Sequence, residues 1–425
     1  MAQVQVRDVP RTTEVAGPAL QPPTHQVPAR PAMAPRAAPT FRAVLRHRYC
    51  GRLLLASVTG RLALGIVPVA LILQAQADNH CLATAGLLAA LYGICPALGL
   101  PLLGRLADRR GLSLPCHLGA MLVAVALSVL ALAGTTSLPF TAVCVALAGA
   151  GCPPLEGGLR SLYPAVLPDV AHVRTAYTLD SSTQQIVYVA GPALAVATST
   201  YFTPAAALAL AATATWSGSL AFATARPARA CRPAARRPDP LGVLRPPAMR
   251  LLLFALVFLG GTVGALDVAG IAVAGRQDTA WLAGALPAMF SAAGLLGGGL
   301  FARIQSATAP QPRHLLVLAA LFAAGWFPLL APLPAPAVLA LAVLPGALFV
   351  PLLTLASLTV TALAPPGTST EAVGWMSSAI RLGVAGGTAL AGPLGGHFTL
   401  PLLAAALCAL LLSAPTPAAA APAAA

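Results

Sequence analysis

Hydrophobic positions along this chain gather in twelve long runs that short polar breaks separate. Each run is long enough to cross a bilayer, whose hydrocarbon core of roughly 30 Å needs about 20 apolar residues of helix. The third, ninth and last runs are the weakest, being short or broken by polar residues. The runs are centred in 53–74, 82–103, 112–133, 138–158, 178–198 and 205–225, and then in 251–273, 281–301, 315–331, 337–360, 372–394 and 400–412. The pattern predicts an all-α integral membrane protein with twelve transmembrane helices, and the even number places both termini on one side.

Composition agrees with this prediction. Only 8% of the residues are charged and 58% are hydrophobic, whereas an ordinary soluble domain has about 25% charged residues. Strands of an outer-membrane barrel would give runs of about 10 residues with alternating hydrophobicity. The runs here are longer and continuous, and they are rich in Ala, Leu and Gly, which favours helices.

The basic residues are all arginines and fall mainly in alternate connections between the predicted helices. They precede the first helix and follow the second, fourth, sixth and eighth, and Arg160 and Arg174 flank the turn after the fourth. Cytoplasmic loops carry such an excess, so the distribution predicts cytoplasmic termini in a multi-pass protein of the cell (inner or plasma) membrane. The formal net charge of +14 then reflects topology and contact with the lipid bilayer, and no nucleic-acid partner is expected.

These features divide the chain into five parts. Residues 1–48 are rich in Pro, Ala and Thr and predict a disordered cytoplasmic tail without a signal peptide. Six-helix halves at 49–225 and 250–414 flank a basic cytoplasmic linker at 226–249. Residues 415–425 form a low-complexity tail of Ala and Pro.

The two halves repeat one sequence pattern at nearly one offset. Gly149 and Gly346 each stand five residues before a Pro-Leu pair, and the tandem serines at 181–182 and 377–378 are each followed by Gly-x-Ala-Leu-Ala. Because each half holds an even number of helices, the copies share one orientation, which predicts a parallel repeat about an axis along the membrane normal. Proline removes a backbone hydrogen bond and bends a helix. We therefore expect helix bends at Pro154, Gly191, Pro192 and Pro351.

The break after the second helix reads Gly104-Arg-Leu-Ala-Asp-Arg-Arg-Gly111. It resembles the loop signature between the second and third helices of the major facilitator superfamily of secondary transporters, and with the helix count and the repeat the resemblance covers about residues 45–412. It implies that Gly104 lets a helix of the other half pack closely. It also implies that Asp108 lies against the N-terminus of the eleventh helix, where the helix dipole favours an anion. Gly104, Asp108, Arg109 and Gly111 would then latch the outward-open conformation.

A second element, Gly191-Pro192, resembles the core of the antiporter motif of exporters, although Val187 and Ala195 replace two of its glycines. Many drug–proton antiporters carry an arginine in the fourth helix, where this chain has Val145. The resemblance implies a drug-exporter-like transporter. The departure at Val145 means that proton movement must use some other buried acid.

Ionisable residues inside the predicted helices are candidates for substrate binding and ion coupling, because a charge deep in a membrane helix costs about 2.5–3.5 kcal/mol on insertion scales. They either form buried pairs or line a water-filled cavity. Asp267 is the deepest acid, and we expect Arg61 or Arg381 to be its partner across the halves. The full set of candidates is Arg61, Glu156, Asp180, Gln184, Tyr188, Asp267 and Arg381, in which Gln184 and Tyr188 share the helical face of Asp180.

No catalytic pattern competes with transport. The sequence has no HExxH motif and no phosphate-binding glycine loop, and its eight cysteines are scattered, so we predict neither an enzyme nor a metal or other cofactor. We expect a secondary active transporter that exports small molecules, such as drugs or secondary metabolites, by alternating access with protons as the coupling ion. The alternative is an importer of an anionic metabolite held by Arg61 or Arg381. A membrane enzyme and a non-transporting receptor or scaffold are the rival classes.

Overall fold

Twelve principal helical segments make up the structure, a computed structural model that describes residues 39–231, 242–279, 281–304, 312–392, 394 and 396–413. We number them in chain order: helix 1 Cys50–Ala77, helix 2 Thr84–Arg110, helix 3 Ser113–Ala133, helix 4 Leu138–Val166, helix 5 Val170–Tyr201, helix 6 Pro204–Ala223, helix 7 Pro247–Arg276, helix 8 Leu282–Ile304, helix 9 Arg313–Leu330, helix 10 Ala335–Leu363, helix 11 Ser369–Ala391 and helix 12 Thr399–Ser413. These residues include no strand. The prediction of an all-α membrane fold with twelve helices is confirmed.

Nine helices in the described part of the chain are long and apolar enough to cross a membrane. Helix 12 is apolar but has only 15 residues. Helices 5 and 11 have 32 and 23 residues but contain buried polar side chains, among them Asp180 and Glu371. Because buried polar groups are expensive in a membrane helix, helices 5 and 11 are where a function is to be sought.

Four of the helices are interrupted. The interruptions fall at Leu62 in helix 1, at Cys95 in helix 2, over 151–154 in helix 4 and at Ala342 in helix 10. Pro154 closes the gap in helix 4 as the residue before the second helical stretch, Leu155–Val166. Pro192 and Pro351 lie inside continuous helical stretches, where each removes one hydrogen bond without ending the helix.

Two short helices lie in segments that the sequence assigned to a tail and a linker. Phe41–Arg46 begins after Thr40, whose hydroxyl accepts a hydrogen bond from the N–H of Ala43 at 3.3 Å, so the end of the predicted disordered segment 1–48 is helical. Arg226–Ala230 is helical within the predicted linker, and helix 7 begins before that linker was expected to end. Residues 1–38, 232–241 and 414–425 of the predicted tails and linker lie outside the described residues.

Helix 5 is longer than its apolar run predicted, because two largely polar turns precede that run. The Asp169 carboxylate caps its first turn by accepting a hydrogen bond from the N–H of His172 at 2.9 Å. Hydrogen bonds from His172 hold the pKa of the Asp169 carboxyl below its ordinary value. An unpaired N–H group in the first turn of helix 5 therefore has its acceptor in Asp169, the residue directly before the helix.

Helix 11 joins the two halves, which we define as helices 1–6 and helices 7–12. It packs against helices 2 and 4, and helix 8 packs against helix 5 at the equivalent interface. Backbones approach closely here: a Cβ atom on Gly104 would lie 2.8 Å from the carbonyl oxygen of Thr370, and one on Gly374 would lie 2.7 Å from that of Leu100. These contacts lie toward the side where helices 2 and 4 end and helix 11 begins, which we call the arginine-rich side.

On the opposite side, Asp78 ties the turn after helix 1 to the turn after helix 3. Its Oδ2 accepts hydrogen bonds from the amide of Gln74 at 3.0 Å and from the N–H and hydroxyl of Thr135 at 2.6 and 2.7 Å. Burial would raise the pKa of the Asp78 carboxyl, but these hydrogen bonds outweigh burial and hold the pKa below its ordinary value. Since all partners belong to the N-terminal half, this contact does not oppose movement between the halves.

Candidate functional site

A buried carboxylate, Asp180, lies at the centre of the candidate site. It stands about 15 Å along helix 5 from the start of that helix, and its side chain has 0% solvent exposure. Its Oδ1 pairs with Nη2 of Arg61 at 2.6 Å, and its Oδ2 pairs with Nε of Arg160 at 2.9 Å. Each oxygen thus holds one arginine, and pairing of this kind is what makes a buried charge tolerable.

Arg61 is held entirely by residues of the N-terminal half. Besides Asp180, its Nη1 donates to Oε1 of Gln184 at 2.8 Å and its Nε donates to the carbonyl oxygen of Ser57 at 3.3 Å. The expected pairing of Arg61 with Asp267 across the halves is therefore wrong. The helical face shared by Asp180 and Gln184 is turned toward helix 1. Arg61 therefore binds the Asp180 carboxylate and the Gln184 amide on adjacent turns of helix 5 instead of Asp267.

Arg160 is the residue of the candidate site that the sequence analysis did not single out. The sequence places it beside the turn after the fourth helix, among the cytoplasmic arginines, but it lies within helix 4 and its side chain is only 1% exposed. Its Nη1 pairs with Oε1 of Glu156 at 2.9 Å, and its guanidinium carbon lies 5.5 Å from the centre of the Tyr177 ring. The i,i+4 spacing of Glu156 and Arg160 was the available signal, since it places both side chains on one helical face.

The same two residues reach the C-terminal half. Nη1 of Arg160 donates to Oγ of Ser357 in helix 10 at 2.8 Å, and Oε2 of Glu156 accepts from Oγ of Ser377 in helix 11 at 3.1 Å. We call Arg61, Glu156, Arg160 and Asp180 the charge network. Its hydrogen bonds to serine hydroxyls connect the two halves deep in the bundle.

A second connection lies nearer the arginine-rich surface, where the resemblance placed Asp108. The Asp108 carboxylate accepts hydrogen bonds from the N–H groups of Thr370 at 3.2 Å and Glu371 at 2.8 Å, at the N-terminus of helix 11. Nη2 of Arg105 pairs with Oε1 of Glu371 at 2.6 Å. An anion at a helix N-terminus satisfies unpaired N–H groups and interacts favourably with the helix dipole. The latch role itself stays a prediction.

The other motif residues have mainly backbone roles. Gly111 ends helix 2 with φ at 86°, a left-handed conformation that favours glycine, and Arg109 is exposed at the end of the same helix. In helix 5, Gly191 lies against the backbone of Gly65 in helix 1, where a Cβ atom would leave no room. Gly191 and Pro192 therefore lie at a close helix–helix contact.

A small cavity of about 20 Å³ lies between the halves beside the charge network. Such a volume holds about one or two water molecules, so this conformation has no room there for a substrate. Polar and charged side chains line part of the cavity, and apolar residues and backbone line the rest. The lining residues are Arg61, Leu64, Leu100, Cys152, Pro153, Pro154, Glu156, Gly157, Thr370, Val373, Gly374, Ser377 and Arg381.

The structure brings six of the seven predicted candidates to the network or its surroundings and leaves Asp267 apart. Arg61, Glu156, Asp180 and Gln184 belong to the network or contact it, and Arg381 lines the adjoining cavity. Tyr188 is 44% exposed and does not line the cavity, but it is an electrostatic neighbour of Arg381. Asp267 in helix 7 does not line this cavity and forms no ion pair with a described arginine. Within the described ranges, no group of three or more His, Cys, Asp or Glu side chains is placed to hold a metal ion.

Two helical halves joined around a buried charge network and a central cavity form an architecture of membrane transporters. Residues 53–388 match the sequence model of the Major Facilitator Superfamily. The chain therefore belongs to the Major Facilitator Superfamily and is a membrane transporter of that family. This confirms the family inferred from the motif after helix 2.

Solved structures support the same fold. The human organic anion transporter MFSD10 (TETRAN) is 18% identical, with a TM-score of 0.62 over 85% of this chain and 98% of that chain. A bacterial homologue of the iron transporter ferroportin, solved in an outward-facing state with soaked iron, is 16% identical with a TM-score of 0.60 over 85% and 98%. The transporter FucP in its outward conformation is 15% identical with a TM-score of 0.60 over 85% and 97%. None of the curated proteins compared with the chain matches its sequence significantly.

Proposed function

We propose that this transporter is a secondary active exporter of small organic molecules, such as drugs or secondary metabolites, that works by alternating access in exchange for protons. The observation that carries the proposal is the pair of polar connections between the halves. Asp108 binds the start of helix 11, and Arg160 and Glu156 bind Ser357 and Ser377 deeper in the bundle. Hydrogen bonds of this kind can break when the halves rock apart and can form again when they close.

The orientation follows from the charge distribution. With the arginine-rich side in the cytoplasm, as the arginine excess indicates, the conformation described here is closed to the cytoplasm in the plasma or inner membrane. A substrate leaving the cell would enter from the cytoplasm after both connections open. The Gly191-Pro192 element supports export, because it resembles the antiporter motif of exporters.

Coupling needs an acid that gains and loses a proton during the cycle. Asp180 is held by two arginines and Glu156 by one, so their charges are already balanced. Asp267 lies inside helix 7 and has no ion pair with any described arginine. We therefore retain Asp267 as the proposed proton-coupling residue, without the arginine partner that the sequence suggested.

The test is transport by the purified full-length protein in proteoliposomes with an imposed proton gradient. We expect uphill movement of a fluorescent drug by the parent protein. Asp267→Asn should abolish uphill movement while leaving downhill exchange of the same drug measurable. Normal uphill transport by Asp267→Asn would rule out this residue as the coupling acid. A chain that moves no solute in any gradient would instead favour a receptor or scaffold.

A second function, transport of an anionic metabolite, has one observation in its favour. Arg381 lines the cavity, and it shows no ion pair within the described part of the chain. The fold neighbour MFSD10 is named as an organic anion transporter, although its 18% identity supports the shared fold alone. Drug susceptibility of a host that lacks its own pumps separates the two functions, since protection by this chain is expected only for a drug exporter.

A further inference from the structure

The charges around the central cavity do not balance. Arg61 and Arg381 line the cavity and Arg160 belongs to the adjoining charge network, whereas the acids of that network are Asp180 and Glu156. If all five groups are ionised, one positive charge remains. The hydrogen bonds show which arginine carries this excess.

Both acids are already fully engaged. Asp180 gives one oxygen to Arg61 and the other to Arg160, and Glu156 gives one oxygen to Arg160 and the other to the hydroxyl of Ser377. Arg61 also binds Gln184, so it has no need of a further acceptor. Arg381 is the remaining cation, and no hydrogen bond or ion pair of its guanidinium occurs among the residues described here.

An arginine without a counter-ion is costly inside a membrane protein. A charge deep in a membrane helix costs about 2.5–3.5 kcal/mol on insertion scales, and buried charges are normally paired. Arg381 is half-buried in helix 11 and faces the same cavity as Ser377. Its charge is therefore available to an anion that enters from outside the protein.

We propose that Arg381 is the binding residue for the carboxylate, or a similar small monoanionic group, of an organic substrate. The guanidinium offers a planar fork of N–H donors that fits two oxygens at once. The Ser377 hydroxyl lies in the same lining and donates to Glu156 in this conformation, so it can donate to a ligand only after the halves move apart and that hydrogen bond breaks. This proposal rests on the proposed transport function, since it assigns a substrate class to the same cavity.

The rest of the lining indicates what is attached to the anion. Leu64, Leu100, Pro153 and Val373 face the cavity together with backbone, and these apolar surfaces add no charge to that of the network residues Arg61 and Glu156 in the same lining. The substrate class is thus an organic anion with one acidic group and an apolar body. The cavity is too small for it in the present conformation, so binding takes place when the halves have moved apart.

The experiment uses purified full-length protein in detergent and two sets of probes, each with one carbon skeleton in a negative, a neutral and a positive form. The probes are 2-naphthoate, 2-naphthamide and 2-naphthyltrimethylammonium, and octanoate with its amide and trimethylammonium analogues. Binding to the folded state raises the unfolding temperature in a concentration-dependent way. We expect the carboxylates to stabilise the parent protein more strongly than the amides or ammonium compounds.

Variants at Arg381 then test the assignment. Arg381→Gln should weaken carboxylate binding about 10- to 100-fold, the effect of losing one charged hydrogen-bonding partner, and should leave amide binding unchanged. Arg381→Lys should keep the preference for anions at lower affinity, because lysine has the charge without the fork. Arg313→Gln, at an exposed arginine that begins helix 9, is the matched control and should bind like the parent.

The unfolding temperature without any probe gives a second readout. Removal of an unpaired charge should leave it unchanged or raise it, so Arg381→Gln should be at least as stable as the parent. A loss of stability like that of a broken ion pair would show a structural role and overturn the proposal. Equal carboxylate binding by parent and Arg381→Gln, or no preference for carboxylates in the parent, would overturn it as well.

Counterflow in proteoliposomes separates this proposal from the proposed function. If carboxylates bind through Arg381 but no solute is transported, the function fails and the site assignment stands. If cationic or neutral drugs are pumped at the same rate by the parent and by Arg381→Gln, and carboxylates do not compete, the function stands and the site assignment fails.

Discussion

Asp180 provides the most direct test of the charge network. Asp180→Asn has nearly the same shape, but it removes the negative charge that both Arg61 and Arg160 share. Asn keeps one acceptor atom, its carbonyl oxygen, and presents an NH2 donor where the second carboxylate oxygen stood, whereas both carboxylate oxygens accept from arginine, at 2.6 and 2.9 Å. Arg160 keeps Glu156 as a partner, whereas Arg61 keeps only neutral acceptors.

The expected magnitude follows from the burial of the pair. Asp180 and Arg61 have side-chain exposures of 0% and 3%, and removal of one partner from a buried ion pair destabilises a protein by about 3–5 kcal/mol. At about 2 °C per kcal/mol for a large domain, the unfolding temperature should fall by roughly 6–10 °C. The sequence analysis names Asp180 only as one of seven candidates for substrate binding and ion coupling, so this expectation comes from the structure.

The assay is thermal unfolding of purified protein in one detergent at one scan rate, since unfolding of large proteins is often irreversible. Asp267→Asn is the matched control, because it makes the same substitution at an acid that has no ion pair with a described arginine. Its unfolding temperature should lie near that of the parent. The double variant Arg61→Gln with Asp180→Asn should be less destabilised than the sum of the two single variants. If Asp180→Asn unfolds at the same temperature as Asp267→Asn, the network does not stabilise the fold and the reasoning is refuted.

Two further predictions concern Asp108 and Asp78. Asp108→Asn removes the charge at the start of helix 11 and should favour the form open to the arginine-rich side by about 1–2 kcal/mol, a roughly 5- to 30-fold shift. Faster maleimide labelling of Cys152, which lines the cavity, would report that shift. Asp169→Asn, at a cap within one half, should leave the labelling rate unchanged, and equal rates for Asp108→Asn and the parent would contradict the latch. Asp78 has a lowered pKa when folded, so the stability it contributes is present above its unfolded pKa of about 3.9 and is lost as pH falls through its folded pKa. The difference in unfolding temperature between parent and Asp78→Asn should shrink as pH falls below about 4, whereas a difference that stays constant would show that the carboxylate is not responsible.

Much of the fold could be predicted from the sequence, because the signals used extend over long segments. Bilayer thickness sets the length of an apolar run, and the arginine excess is counted over whole loops. The helices are predicted from run length, and the family and the position of Asp108 are predicted mainly from a local motif. These predictions remain correct even when a predicted helix boundary is wrong by a few residues. Arg160 shows where such reasoning fails. A rule that counts arginines by their place in the chain cannot tell whether a side chain near a helix end points to the cytoplasm or back into the bundle.

The partner of Arg61 was out of reach for a related reason. Ion pairs depend on how each helix is rotated and on which helices are neighbours, and a sequence pattern fixes neither of these. Asp267 was chosen because it lies deep in its helix. Asp180 is the partner of Arg61 instead, because helix 5 turns the Asp180–Gln184 face toward helix 1, where Arg61 can bind both residues.

The two related interfaces between the halves are built differently, and the difference lies in how a helix N-terminus is satisfied. Asp169 caps helix 5 from within its own half. Thr368 makes no side-chain cap for helix 11, whose first N–H groups bind Asp108 of the other half instead. At the helix 8–helix 5 interface, Gly298 packs against Ser182, and Arg303 stands where the repeat would place an aspartate. We therefore expect closure on the arginine-rich side to depend on the charged cap at helix 11, and the helix 8–helix 5 contact to act as the packed surface about which the halves move.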